Sequence, residues 1–381
     1  MSTKRKPRQI NEFFEEVETE EIHVGYSYSV GDALTIVVAG TFCGLKNTRQ
    51  IHMWASHKRV KSFLAKQFGI GKIPCYGWLL SLLKLVKPES LGECFGRWAR
   101  SLLPEQTPGA TISVDGKSIA STGRMSRHKA ALHVVSAQMA EYGMCIGQKA
   151  SGAAGGEISA VQNLLANLQI GGCLVVADAL HCQQETAKTI RKGKGDYLLN
   201  VKNNQKEMMR EIADYLNDDV LREAMDKAQT TDKTSGRVEM RSVYASHDVS
   251  WMPKAREWEG LAMFGAINTR VWTPKGESGE WHFYISSRKL TARELLHRAR
   301  MEWTVETMHW FLDVHFGEDF CRVENLNVQL GLNIIRKIVL NHVKRHKTNT
   351  NSNRPVSHFL MDCMLDPANI MTLVTHQYKE N

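Results

Sequence analysis

The sequence lacks any Cys-x-x-Cys pair, and most of its eight cysteines lie in apolar runs such as Phe42-Cys43 and Cys173-Leu-Val-Val. This excludes a disulfide framework and reads as buried thiols in a reducing compartment. His181-Cys182 is the only adjacent pair of soft ligands, too little for a zinc site. There is no apolar run long enough to span a bilayer; the longest, near residues 33–45, is short and interrupted. The basic start, Met1-Ser-Thr-Lys-Arg-Lys-Pro-Arg-Gln, has no apolar stretch after it and does not read as a secretory signal. Internal repeats are also missing. A cytoplasmic, nucleoid-associated protein with no membrane partner is expected.

What is present is length and positive charge. The 381 residues suggest two or three domains and can bury a sizeable core. The formal net charge is +9, spread along the chain, which favours a polyanionic partner.

Residues 1–20 are charged, and residues 31–104 read as helical. Ala33-Leu-Thr-Ile-Val-Val-Ala-Gly predicts a buried helix, and Asn47–Phe68 a single amphipathic one with His52, Lys58, Arg59, Lys61 and Lys66 toward solvent. Pro88 suits a first helical turn, with Leu91, Cys94, Phe95, Trp98 and Leu102 on one face. Such a domain could read a DNA end or serve as a dimerisation or packing cap. A linker with two prolines follows at 103–109, and the pattern then changes from period 3.6 to period 2. Strands are expected at 111–115, 131–139 and 144–149, the last two joined by a tight turn. A helix at 157–168, an apolar strand at 173–177, a helix at 183–191 and a strand at 197–202 come next. Three strands, then helix, strand, helix, strand is the element order of a ribonuclease H-like α/β core, whose first strand lies beside the fourth. A helix from 206 to about 228 and strands at 237–245, 261–272 and 280–287 suggest a largely β insertion. Thr291-Ala-Arg-Glu294 is a capping box opening one helix to about Val314. Residues 331–343 form another. The expected domains are thus a helical N-terminal domain, 1–104; a ribonuclease H-like core, 108–205 and 289–345; an insertion, 206–288; and a tail, 346–381.

Three carboxylates fall on this frame. Asp115 and Asp178 end two strands, and Glu306 sits on the late helix. Phosphodiester cleavage needs an activated water and a stabilised leaving oxygen, which two Mg²⁺ (or Mn²⁺) ions supply from a few carboxylates. Asp115 is assigned the bridging position, Asp178 one ion and Glu306 the other. Lys117, Lys202, Asn204 and Gln205 lie at the same sheet edge and would hold DNA phosphates without reading sequence. Asp313, about 10 Å along the helix from Glu306, reads as a salt-bridge or positioning residue. Trp303 and Trp310 fit a core role better than base stacking, and Trp272 is a speculative candidate for holding an unstacked base.

These residues resemble the DDE transposases of bacterial insertion sequences, in the group that includes the H-repeat-associated proteins of Rhs elements. The resemblance spans about residues 10–345. It rests on Phe13-Phe14-Glu, Pro88-Glu-Ser-Leu, Val114-Asp-Gly-Lys117, His133-Val-Val-Ser-Ala and Gly156-Glu-Ile. It continues through Ala177-Asp-Ala-Leu-His-Cys-Gln183, Asp196-Tyr-Leu-Leu-Asn-Val-Lys-Asn-Asn-Gln205 and Gly236-Arg-Val-Glu. It closes with Tyr284-Ile-Ser-Ser, Trp303-Thr-Val-Glu-Thr-Met-His-Trp-Phe-Leu-Asp313, Glu318-Asp and Arg322. It implies metal-dependent cleavage at element ends and strand transfer into target DNA, with catalytic Asp115, Asp178 and Glu306. It also implies double-stranded DNA (terminal repeats and target) as partner, a homo-oligomeric synaptic complex, and further DNA contacts at Arg237 and Arg322. The chain departs from the pattern at Ser235, where a histidine is common, at Glu324, where an arginine is common, and at Cys75-Tyr-Gly-Trp78. Glu302 and Asp313 stand where the broader group has arginine and lysine. A transposase-derived DNA-binding protein that no longer cuts is the alternative.

Overall fold

The computed structural model describes residues 10–20, 28–103, 109–124, 131–151 and 156–375; the core of the expected proline linker, 104–108, lies outside them. The early chain forms α1 (Ile10–Phe14), α2 (Val30–Phe42), α3 (Thr48–Ala55), α4 (Lys58–Phe68), α5 (Tyr76–Leu85) and α6 (Pro88–Ser101). The apolar run of α2 is buried on all sides. The single helix expected over Asn47–Phe68 is two. Asn47 caps α3 by accepting from the Gln50 N–H, and the chain re-starts after His57. The basic residues of α4 face solvent, whereas His52 is half-buried and bonds the Pro74 carbonyl at 3.1 Å. The α6 face predicted from Leu91 to Leu102 is buried throughout.

Next come β1 (Thr111–Ile119), α7 (Ala120–Arg124), β2 (Leu132–Met139), β3 (Met144–Ser151), α8 (Gly156–Asn167), β4 (Leu174–Ala177), α9 (Gln184–Lys192) and β5 (Asp196–Val201). Apart from α7, which was not expected, these follow the expected order, and β1 runs four residues beyond Asp115. The helix expected from 206 to 228 stops early. It is α10 (Lys206–Asn217) and α11 (Asp219–Glu223), separated by Asp218, whose carboxylate accepts from the Val220 and Leu221 N–H groups. A strand not expected from sequence follows, β6 (Asp226–Thr234), then β7 (Arg237–Ser246), β8 (Met263–Thr273) and β9 (Gly276–Ser286). β6 was hidden because it is polar and mostly exposed; only Ala228 and Thr230 turn inward. The late helix is also divided, into α12 (Ala292–Met301) and α13 (Trp303–Val314), with Glu302 at the break. The chain ends with α14 (Leu326–Thr350), α15 (Val356–Leu365) and α16 (Asn369–Thr375).

The chain divides into two compact units. The first comprises Met1–Gln106, Gly116–Glu157 and Thr307–Asn381. Its central element is α14, buried almost without interruption from Val328 to Val343. Two buried polar residues of α14 are paired with the hairpin: Lys337 Nζ donates to Ser136 Oγ at 2.8 Å and Gln148 Oε1 at 2.6 Å, and Asn341 bonds both the N–H and the carbonyl of Cys145. These bonds join the helix to the β2–β3 hairpin, as burying an amine and an amide requires.

The second unit comprises Thr107–Asp115 and Ile158–Glu306. Its strand order is β1-β4-β5-β9-β8-β7-β6. β1, β4 and β5 are parallel, and β9 pairs antiparallel with β5, so the strands of 226–286 extend the same sheet. α12 lies on this sheet through Leu295, Leu296 and Ala299, packed with Leu174, Val176, Leu198, Val243 and Met263. Gly265 permits the approach, because a Cβ there would stand 2.7 Å from the Tyr244 carbonyl and against Leu295. Among the described residues, no helix is long and apolar enough to cross a membrane.

Candidate active site

Val114 of β1 pairs with Ala177 of β4 in parallel register. The next residues are Asp115 and Asp178, so the two carboxylates leave the same end of neighbouring strands, about 4.8 Å apart at the backbone. Asp178 also starts a short turn, accepting from the Leu180 N–H at 3.1 Å, with His181 Nε2 at 3.8 Å. It is thus both a strand-end cap and a site candidate.

β1 carries Thr111, Ser113 and Asp115 on one face, since side chains alternate along a strand. Arg298 of α12 donates to Thr111 Oγ1 at 2.6 Å, and the Ser113 and Thr304 hydroxyls are 2.9 Å apart. These clips tie β1 to both sides of the α12–α13 break. Glu302, at the break, keeps right-handed helical torsions, so Glu306 follows it by one turn. Glu306 is exposed and Glu302 half-buried. Burial pushes the Glu302 carboxyl up to about 7, reinforced by the charges of Asp178, Glu306 and Asp115, while Lys202 opposes the rise. The electrostatic coupling gathers a fourth carboxyl with the three predicted ones. In the sequence Glu302 stands out only as a departure from the family pattern; its place four residues before Glu306 is the signal that points to it. Among the described residues, no three His, Cys, Asp or Glu side chains are drawn together closely enough to hold one ion.

The predicted phosphate ligands are placed as follows. Lys202 is exposed beside this cluster. Asn204 donates to the Ala179 and Cys182 carbonyls at 2.6 and 3.2 Å, and Gln205 to the Cys182 carbonyl at 3.0 Å. Both side chains therefore brace the turn after Asp178. Lys117 lies in the other unit and is engaged: its ammonium meets Asp313, Glu318 at 3.1 Å and Asp319 at 3.8 Å. Burial alone would pull the Lys117 ammonium down, but Glu318, Asp313 and Asp319 outweigh it and hold it above the usual lysine range. Fully buried Glu318 also accepts from Asn333 at 2.6 Å. Arg237 is exposed and paired with Glu239 at 2.8 Å, and Arg322 is exposed.

Three of the motifs meet in the first unit. His133 Nε2 and Glu157 pair at 2.8 Å, and a Cβ on Gly116 would collide with both. Glycine follows Asp115 because the His133 and Glu157 side chains occupy the space a Cβ would need. Trp303 and Trp310, expected in the core, are 65% and 54% exposed. Trp272 remains in the ladder between Val238 and Glu277. Burial pushes the Cys182 thiol up to about 12, so it stays protonated and is a poor metal ligand.

Comparison with known proteins gives concordant matches. The family model described as "Transposase DDE domain" matches residues 106–342, and the model described as "DDE_Tnp_1-associated" matches residues 11–99. Similar chains include "Putative protein YbfL" of Escherichia coli K12, 30% identical over 74% of this chain and 77% of that one. "Putative transposase YncI" of Escherichia coli O157:H7 is 28% identical over 82% of each chain. "H repeat-associated putative transposase YhhI" of Escherichia coli K12 is 28% identical over 84% of this chain and 86% of that one. A cryo-EM structure of the piggyBac transposase synaptic complex with hairpin DNA overlaps at a TM-score of 0.47 and 10% identity, covering 97% of this chain and 76% of that one, a likeness too loose to identify a fold. With a domain match over more than half its length, the chain belongs to the DDE transposase family.

Proposed function

We propose that the chain cuts DNA at the ends of an insertion sequence and joins the freed 3′ ends to target DNA, using Asp115, Asp178 and Glu306. The observation that carries this reading is the Val114–Ala177 register, which sets Asp115 and Asp178 side by side, with Glu306 on a helix clipped to β1. The core is read as ribonuclease H-like: β1 parallel to β4, β4 parallel to β5, an antiparallel β2–β3 hairpin, and a late helix bearing the last carboxylate.

In its chemistry the donor set suits divalent cations: all the candidate ligands are hard oxygens, and Glu302, raised first by burial, also feels the charges of Asp178, Glu306 and Asp115 against the opposing Lys202. Asp115, Asp178 and Glu306 would hold the ions, Mg²⁺ or Mn²⁺, which when bound activate a water or 3′-hydroxyl and stabilise the leaving oxygen. The remaining work belongs to the chain. Ser113, Thr304, Arg298 and Thr111 fix the helix against β1. Asn204 and Gln205 fix the turn after Asp178. Near neutral pH Glu302 holds a proton for part of the time, which lowers repulsion among the four carboxyls. Lys202, Arg237 and Arg322 are exposed cations that would meet DNA phosphates. The assembly would be a multimer pairing two element ends in the cytoplasm.

The test is a cleavage and strand-transfer assay with Mg²⁺ on DNA carrying the element's own ends, comparing wild type with Asp115→Asn. Joined products that vanish in the variant support the proposal. DNA binding without cleavage in either protein would refute it in favour of a transposase-derived binding protein. The acidic Glu302 and Asp313, at positions where the broader group is basic, give that outcome its physical basis.

A further inference from the structure

α12 and β6 enclose a groove of about 710 Å³ in the second unit. Its polar lining includes Lys227, Gln229 and Thr230 on the β6 side and Arg293, His297 and Arg300 on α12, the groove reaches Thr304, and no acidic residue is among those that line it. Arg293, His297 and Arg300 recur at the i, i+4, i+7 spacing, so they form one stripe along α12, distinct from the Leu295 and Ala299 face pressed on the sheet. The stripe spans about 10 Å of helix axis. One strand of duplex DNA carries a charge about every 3.4 Å of rise along the duplex axis, and its winding backbone sets successive phosphates roughly twice that far apart, so the stripe matches about two consecutive phosphates.

The local ion pairs do not block this use. Lys227 pairs with Glu223 at 2.7 Å and Arg300 with Asp232 at 3.6 Å, with Glu223 and Arg300 largely exposed. Such surface pairs contribute little, and Asp232 has a closer partner in Arg241. The groove reaches Thr304, whose hydroxyl touches Ser113, two residues before Asp115.

We propose that this groove is a track for the sugar–phosphate backbone of one DNA strand, leading along α12 to the carboxylates; the proposal rests on the transposase reading above. Lys227 would close the track from the β6 side. The contacts are to phosphate and carry no sequence preference.

A fluorescent DNA duplex of arbitrary sequence is therefore a sufficient probe, with affinity measured across a salt series. R293A/R300A is expected to lower the slope of log affinity against log salt by about 2, since each phosphate contact contributes about 0.9. K188A/K192A, which removes equal charge from α9, is expected to leave the slope near that of wild type, as is R293K/R300K. A wild-type slope in R293A/R300A, an equal drop in K188A/K192A, or an equal drop in R293K/R300K would each overturn the track. Wild type that cleaves element ends while R293A/R300A keeps its slope refutes the groove alone. Wild type that neither binds nor cleaves DNA refutes the transposase reading beneath it.

Discussion

Replacing Glu302 by glutamine removes one of four mutually repelling carboxyls while keeping the shape of the side chain. Glu302 has its pKa raised from 4.5 to about 7 by burial and then by Asp178, Glu306 and Asp115. The folded protein therefore binds this proton more tightly than the unfolded chain does. The associated stability is fully present below pH 4.5, is lost as pH rises toward 7, and is absent above it. The shift corresponds to at most ~3.4 kcal/mol at 1.36 kcal/mol per unit, and ~2 kcal/mol is expected once partial solvent exposure is allowed for. At pH 8.5, in the presence of chelator, Glu302→Gln should unfold about 2–3 °C above wild type, given the unfolding entropy of a chain this long. At pH 4 the two proteins should coincide. Mg²⁺ should shrink the difference at pH 8.5, because a cation among Asp115, Asp178 and Glu306 relieves the same repulsion. The measurement is thermal unfolding of both proteins at both pH values, with and without Mg²⁺. An offset equal at pH 4 and pH 8.5 would refute the reasoning, because it would show that Glu302 carries no proton-linked strain.

Glu318→Ala should cost about 3–5 kcal/mol, because it strands Lys117 and the Arg336 guanidinium 3.9 Å away in a buried setting; a melting temperature within a degree of wild type would contradict it. Gly116→Ala should destabilise by about 1–3 kcal/mol by forcing the His133–Glu157 pair apart. Replacing Glu157 by alanine in that variant should recover part of the loss in a denaturant melt. Ser113→Ala, which removes the bond to Thr304, should cost only about 1 kcal/mol of stability yet lower the cleavage rate with DNA affinity unchanged. A parallel fall in affinity would count against a positioning role.

The periodic parts of this chain were legible because burial imposes a period on sequence. The apolar run of α2, the face of α6 and the inward residues of β4 all read directly as core. Reading failed where a local signal was weak or its meaning depended on a distant partner. β6 is an edge strand with little to bury, so its polar sequence passed for a helix end. The break between α12 and α13 has no proline or glycine to announce it. Trp303 and Trp310 read as core by composition, but their face of α13 is exposed.

The same division holds at the site. By itself the sequence determined the strongly periodic elements, the order in which Asp115, Asp178 and Glu306 occur, and the motifs that mark the family, because these are properties of short segments. Only the tertiary structure decided what each polar side chain faces. It drew Lys117 into a carboxylate cluster, turned Asn204 and Gln205 onto backbone carbonyls, and brought Glu302 into the electrostatic field of Asp115, Asp178 and Glu306. It also aligned Arg293, His297 and Arg300 opposite β6 in a groove without acidic lining. A charge takes its role from its neighbours, and those neighbours are set by packing among residues far apart in the chain.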